Sequence, residues 1–215
     1  MQEEGIENFT NETSRIKGFS DGVFGFAITL LVLELIGILH PESDQGLLNS
    51  LAHHWRSFLA FIIGFITILV CWVNHHVALE FIYKIDTKFM WINGSLLLLV
   101  TLTPFPTAIL ASFLQSERET AMAIFGFNYV LISIAADRLC TYAYDKHLIE
   151  EDKREFYYSY KLIYRYGIFY CLMAFFFCFV SIVVSLILYV ILFGASAVPK
   201  ELALIIYKFT MARKK

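Results

Sequence analysis

The groups in this sequence that could do chemistry gather at the start of its first apolar run. Arg15-Ile16-Lys17-Gly18-Phe19-Ser20-Asp21 leads into Gly22-Val23-Phe24-Gly25-Phe26-Ala27-Ile28-Thr29-Leu30-Leu31-Val32-Leu33-Glu34. A carboxylate among apolar residues is costly to hold away from water, so it faces other helices or a water-filled path rather than lipid. On a helix, Asp21 lies about 9 Å along the axis from Arg15 and roughly 240° around it, so the two cannot pair with each other. Each needs a partner from another element. The second apolar run offers Trp72-Val73-Asn74-His75-His76, and a histidine there could donate to Asp21 or to Ser20. Two roles fit this cluster: a network that locks two helices together, or direct contact with a moving ion.

The same run carries a stripe. Phe26, Leu30 and Leu33 recur at i, i+4 and i+7, on one helix face. Gly18, Gly22 and Gly25 form a small-residue track of the kind that lets backbones approach closely. Thr29 lies near this face, with a hydroxyl to offer there or to bond back to its own helix. Glu34 follows toward the far end of the run, where a carboxylate concentrates cations. From spacing alone, ordinary packing is the favoured reading of both the stripe and the glycine track. Farther on, Pro104 and Pro106 predict a kink, because proline frees backbone carbonyls. Metal chemistry finds little support. His53-His54 and His75-His76 are adjacent pairs whose members point to different helix faces, and neither matches HxxxH or HExxH. Cys71, Cys140, Cys171 and Cys178 sit in apolar runs without a CxxC pair and read as packing residues.

The elements that must position these groups follow from composition. Of 215 residues, 58% are hydrophobic and 17% charged, too little charge to cover a soluble surface of this size, so lipid is the expected surroundings. A net charge of −2 gives no basic surface for nucleic acid. The segment Met1 to Ser14 is polar and acidic, with no basic n-region or cleavage site, so no signal peptide is expected. Apolar runs place spans at about Phe19–Leu39, Leu51–Phe81, Phe89–Phe113 and Thr120–Tyr144. The stretch from Leu162 to Val198 would be about 55 Å long as one helix, too long for one crossing. It reads as a hairpin of two short spans broken near Val180 to Val184.

This six-span arrangement puts every Lys and Arg except Arg56, Arg118 and Arg138 on one side. By the positive-inside rule that side is cytoplasmic, and both termini lie there. The charged loop from Asp145 to Tyr160 is the longest, the tail after Pro199 reads as a short amphipathic helix, and no internal repeat or soluble domain appears. Residues 1–215 thus form a single all-α, six-helix transmembrane domain.

The run Arg15-x-x-x-Phe19-Ser20-Asp21, followed by Gly-Val-Phe and Ala-Ile-Thr-Leu-Leu-Val-Leu, resembles the transmembrane protein 175 family of potassium channels, in its prokaryotic single-repeat branch. Trp72…His75-His76 and the Leu-rich segment ending Pro104-Phe105-Pro106 are similar to that family as well. The resemblance implies a homotetramer in the bilayer, with a central pore lined by the first helix of each subunit and no TVGYG filter. It implies a constriction at Phe26, Leu30 and Leu33, with Thr29 beside it. It also implies that Arg15, Phe19, Ser20 and Asp21, with His75 or His76, hold the bundle together and do not touch the ion. Phe26 stands where the family usually has Ile or Leu.

The expected function is passive, potassium-preferring permeation, with no cofactor and potassium as the permeant, in a prokaryotic plasma membrane. The alternative is a proton-coupled secondary transporter using Asp21 and a span-two histidine. A structural adaptor without transport is a further reading, and the sequence gives no catalytic constellation for an enzyme.

Overall fold

The computed structural model describes residues 2–37, 46–113 and 115–213. Among these the regular structure is helical apart from one isolated antiparallel bridge between Ile82 and Ile149. In chain order the helices are α1 (Gln2–Gly37), α2 (Leu47–His53), α3 (Trp55–Glu80), α4 (Thr87–Leu102), α5 (Pro104–Phe113), α6 (Arg118–Asp145), α7 (Arg154–Phe177), α8 (Ile182–Ser196) and α9 (Pro199–Arg213). A single 3-10 turn at Glu151–Lys153 precedes α7. The expected first span is the apolar part of a longer helix that also takes in the polar N-terminal segment. Ile38 and Leu39, at the end of that expected span, lie outside the described residues.

Local chemistry sets the breaks. Pro104 has no N–H to give Val100, and the N–H of Thr103 takes the Val100 carbonyl at 3.0 Å instead, so α4 ends and α5 begins at the expected kink. Asn128 of α6 donates to the Thr103 hydroxyl at 3.1 Å, which pins the break to the bundle. The second hairpin turns at 178–181, where Ser181 caps α8 by accepting from Val184 N at 3.5 Å. This overlaps the expected break. Ser185 donates to the Ala174 carbonyl at 2.7 Å across the turn.

α7 starts eight residues before the expected Leu162, inside the segment read as a charged loop. The reason is aromatic burial. Tyr157 and Tyr160 are fully buried and pack on Phe81 at the end of α3, with ring centroids 5.8 and 5.4 Å away. Arg165 to Asp137 (2.9 Å) and Lys161 to Asp145 (3.0 Å) tie α7 to α6.

α1 packs against α3, α4 and α5, and α6 packs against α4, α5 and α7. Their shared core includes Phe24, Leu31, Ile68, Phe89, Val100, Met122, Phe125 and Tyr157. Close approaches in this core are made by Gly126 of α6, where a Cβ would lie 2.6 Å from the Tyr189 hydroxyl, and by Gly64 of α3. A Cβ there would lie 3.0 Å from Leu31 and 3.1 Å from Thr107. Gly18, Gly22 and Gly25 make no such contact within the subunit.

By length and composition, four segments can cross a membrane: Glu12–Leu33, Trp55–Glu80, Thr87–Phe113 and Arg118–Asp145. The α8–α9 pair, bent by 83°, makes a fifth at most. α8 alone has 15 residues and extends about 22 Å at 1.5 Å per residue, less than a bilayer core of about 30 Å.

Asp86 ends the α3–α4 turn. Its carboxylate accepts from Phe89 N at 2.7 Å, as the N-cap of α4, and from the Tyr142 hydroxyl at 2.7 Å. Burial pushes the carboxyl up, but these hydrogen bonds, one from the Lys88 backbone and the Lys146 charge outweigh it and hold it below its ordinary value. A carboxylate with a lowered folded pKa stabilises the fold above its unfolded pKa and loses that contribution as pH falls through the folded pKa. Asp86→Ala is expected to cost about 1 kcal/mol, the usual worth of a cap, read as a lower thermal midpoint of purified protein at pH 7. The deficit relative to wild type should shrink as the buffer is acidified below about pH 4; a deficit independent of pH would show that the charge contributes nothing.

Candidate functional site

α1 has two unlike faces. Ser20, Phe24, Ala27 and Leu31 recur at spacings of four, three and four, and all are buried at 1% exposure or less. The opposite face carries Phe19 (64% exposed), Phe26 (61%), Leu33 (60%) and Ile36 (60%), with the exposed Gly22 and Thr29 between them. The series 19, 22, 26, 29, 33, 36 alternates steps of three and four, a continuous seam along one side of a helix. Of the three residues expected to share a face, Phe26 and Leu33 stand on this seam, while Leu30 sits at its edge, half-buried. Thr29 lies nearer the middle of the seam than expected, and its hydroxyl donates to the Phe26 carbonyl at 2.8 Å. Arg15, six residues before Asp21 on the same helix, is exposed. The side chain of Glu34 lies outside the described residues.

The buried side of α1 is held within its apolar run by two polar contacts at one level; nearer the N-terminus the buried Thr13 donates to the Tyr83 carbonyl at 3.4 Å. Trp72 donates its indole N–H to Asp21 Oδ1 at 2.8 Å. Asn93 of α4 donates from Nδ2 to Ser20 Oγ at 3.0 Å, and its Oδ1 lies 2.7 Å from His75 Nε2. Asn93 and His75 are 2% and 4% exposed, deep enough that leaving either unpaired would be costly. The sequence brings together the expected groups, but not by the expected bonds. His75 reaches Ser20 only through Asn93, and the donor to Asp21 is Trp72.

His76 stands 3.7 Å from Asp21 on one ring nitrogen and 3.7 Å from Glu80 on the other, beyond hydrogen-bond distance. Lys200 of α9 then meets Glu80 at 2.8 Å. Asp21, His76, Glu80 and Lys200 thus form a series of ionisable side chains from α1 to α9. Among the described residues no group of three His, Cys, Asp or Glu converges as a metal would require.

Two of these roles carried a sequence signal. A buried indole N–H needs an acceptor, which points Trp72 toward the nearest carboxylate. Asn93 is a lone amide beside the apolar run 96–100, and a buried amide must likewise be paired.

Asn93→Ala should leave both Ser20 and His75 without their partner and destabilise the protein by about 1–3 kcal/mol. Trp72→Phe, which keeps the ring and removes only the N–H, should cost less because Asp21 remains partly exposed. Thermal unfolding of the two variants in one detergent checks the order; equal midpoints for Asn93→Ala and wild type would contradict the buried network.

Residues 15–104 match the profile of the family described as endosomal/lysosomal potassium channel TMEM175. A potassium channel of Chamaesiphon minutus is 39% identical over 81% of this chain and 88% of its own length. A potassium channel of Streptomyces collinus is 36% identical over 58% of this chain and 60% of its own. The crystal structure of a lysosomal potassium-selective channel TMEM175 homolog from Chamaesiphon minutus superimposes with a TM-score of 0.76 at 38% identity, covering 88% of this chain and 98% of that one. These relatives are ion channels rather than enzymes, and the extent of the similarity shows that this chain belongs to the TMEM175 family.

Proposed function

We propose that this protein is a potassium-preferring cation channel in which four copies of α1 surround a passive pore. The observation that carries this reading is the α1 seam. A helix whose one face is packed and pinned presents Phe26 and Leu33 to whatever lies on its other side, with Leu30 at the rim. Four such seams around an axis would stack apolar rings that exclude water and ions when narrow, a barrier of the dewetting kind. The potassium channels among its relatives support potassium as the permeant. Ser20, Asp21, His75 and His76, with Arg15, would act as scaffold, and Thr29 and Glu34 as polar groups beside the constriction; Phe19, expected in that scaffold, heads the exposed seam instead. No cofactor is needed.

The glycines support a tetramer. Gly18, Gly22 and Gly25 have open space around the position of a Cβ, although such a track ordinarily marks close helix contact. Contact with α1 of a neighbouring subunit would account for them. The six-span topology would follow if α7 and α8 each crossed the bilayer, and the positive-inside rule would then favour both termini in the cytoplasm of a prokaryotic cell.

One observation favours a second reading. His76 lies between Asp21 and Glu80 at equal distance, an arrangement suited to a proton-coupled transporter. A pH gradient imposed across proteoliposomes separates the two. A channel gives potassium flux that follows the potassium gradient and does not saturate at moderate concentration, whereas a coupled transporter moves potassium uphill at the expense of the proton gradient.

In liposomes of purified protein, Phe26→Ala and Leu33→Ala should raise potassium flux by widening the apolar rings, and should weaken discrimination against sodium. Leu30→Ala should have the smaller effect because Leu30 is half-buried. Flux and selectivity unchanged in both Phe26→Ala and Leu33→Ala would remove α1 from the constriction. A Cβ at Gly22 or Gly25 meets nothing within 4 Å in the subunit, so in Gly22→Val and Gly25→Val the folded chain should persist while the tetramer is weakened, as read by native mass spectrometry. An unchanged tetramer would place the subunit contact elsewhere.

A further inference from the structure

α9 leaves the bundle at a sharp angle. α8 before it carries no charged residue, and Val183, Ile187 and Val190 along it are exposed, the surface of a helix that meets acyl chains. The chain then bends by 83° into α9. A helix set square to a membrane-crossing one runs along the bilayer surface. Its depth is fixed by its neighbours. Lys200 pairs with Glu80, the last residue of α3, at 2.8 Å. Ala203 packs with Val77 and Tyr160, and the residue after Tyr160, Lys161, pairs with Asp145 at 3.0 Å. Charged side chains gathered at one end of a bundle of apolar helices mark the headgroup level.

Three sectors run along α9, at about 100° of turn per residue. Pro199, Ala203 and Tyr207 share the packed sector. The first two are buried, and Tyr207 meets Phe156 of α7 with ring centroids 5.7 Å apart. The next sector carries Lys200, Glu201 and Lys208, all exposed, with Leu204 the apolar residue among them. The third carries Ile205, Phe209 and Ala212, at steps of four and three. All three are exposed, Phe209 at 74%. A helix on a water-facing surface needs only two sectors, one for the core and one for solvent. An apolar stripe left uncovered beside a charged one is the pattern of a helix lying in the membrane–water boundary. The charge there is nearly of one sign. From Pro199 onward the sequence holds Lys200, Lys208, Arg213, Lys214 and Lys215 against Glu201 alone, although the whole chain carries a net −2.

We propose that α9 lies on the bilayer surface at the α3–α4 end of the bundle, with Ile205 and Phe209 among the upper acyl chains, and that its cations gather anionic lipid headgroups there. The chemistry selects this occupant. Lysines flank the stripe, and the centre of a protein–protein interface is ordinarily depleted of them. At a bilayer the same lysines reach headgroup phosphates while the apolar stripe stays among the chains. An excess of cations beside the membrane is answered by anionic lipid and not by a zwitterionic surface. The stripe and the α1 seam belong to different helices, so the reading does not rest on the pore.

The test uses the full chain in lipid nanodiscs, with 4-fluorophenylalanine at position 209 in one sample and at position 204 in another, read by ¹⁹F NMR. Phosphatidylcholine carrying a nitroxide near the top of one acyl chain should broaden the position-209 signal more than the position-204 signal. A water-soluble gadolinium chelate should do the reverse. Position 205, on the same stripe, takes the label if the first protein does not fold. Spin-labelled phosphatidylglycerol at the same mole fraction should broaden the position-209 signal about twofold more than spin-labelled phosphatidylcholine does. The combined Lys208→Gln, Arg213→Gln, Lys214→Gln and Lys215→Gln variant should lose that difference. Broadening of both positions by the chelate would place α9 in water, and broadening of position 209 by neither agent would place another protein over the stripe. Either result, equal broadening by the two lipids, or a difference that survives in the combined variant would overturn the proposal.

Discussion

Everything on α1 depends on the rule that a polar group removed from water must be paired. Ser20 and Asp21 are adjacent in sequence, and therefore about 100° apart around the helix. Asn93 of α4 takes the first and Trp72 of α3 takes the second. Two neighbouring residues gripped by two different helices leave α1 one rotational setting. That setting turns Phe24, Ala27 and Leu31 inward and leaves Phe26 and Leu33 outward. The hydrophobic effect alone would not choose between these faces, since both are apolar. The hydrogen bonds supply the direction that hydrophobicity lacks.

Much of the first half of the chain was legible. The carboxylate in the first apolar run demanded a partner, and the span-two cluster holding Trp72, His75 and His76 was the right place to seek it. The kink at Pro104 follows directly from a missing N–H. What could not be read was which atom meets which. Choosing between Trp72 and His76 for Asp21 depends on how α1 and α3 are rotated against each other, and that rotation is itself set by Asn93, on a third helix. Leu30 shows the same limit. Its spacing from Phe26 and Leu33 is that of one face, yet a helix face is wide, and only the position of α3 and α4 decides which edge of it is covered.

The second half was harder for a different reason. α7 mixes six tyrosines with Lys161 and Arg165, so its polarity resembles a loop at one end and a membrane span at the other. Tyr157 and Tyr160 bury rings that an apolar count undervalues, while Asp137 and Asp145 neutralise the cations from the neighbouring helix. Burial there is achieved pairwise, and pairing is invisible to a reading that takes one segment at a time. The turn at 178–181 had a local mark after all. Ser181 before an apolar run is an N-cap signal, although no Gly or Pro accompanies it.

The polar grip on α1 also has a mechanical consequence. On the C-terminal side of Ser20 and Asp21 the inward face is smooth: Phe24, Ala27 and Leu31 offer packing but no hydrogen-bonding side chain. The half of α1 beyond the clamp behaves as a lever. Measured from Asp21, Phe26 stands roughly 7.5 Å along the axis and Leu33 roughly 18 Å, at 1.5 Å per residue. Any tilt about the clamp carries Leu33 more than twice as far as Phe26. The aromatic position is the stiff end of the rod, and the leucine position is the end that swings.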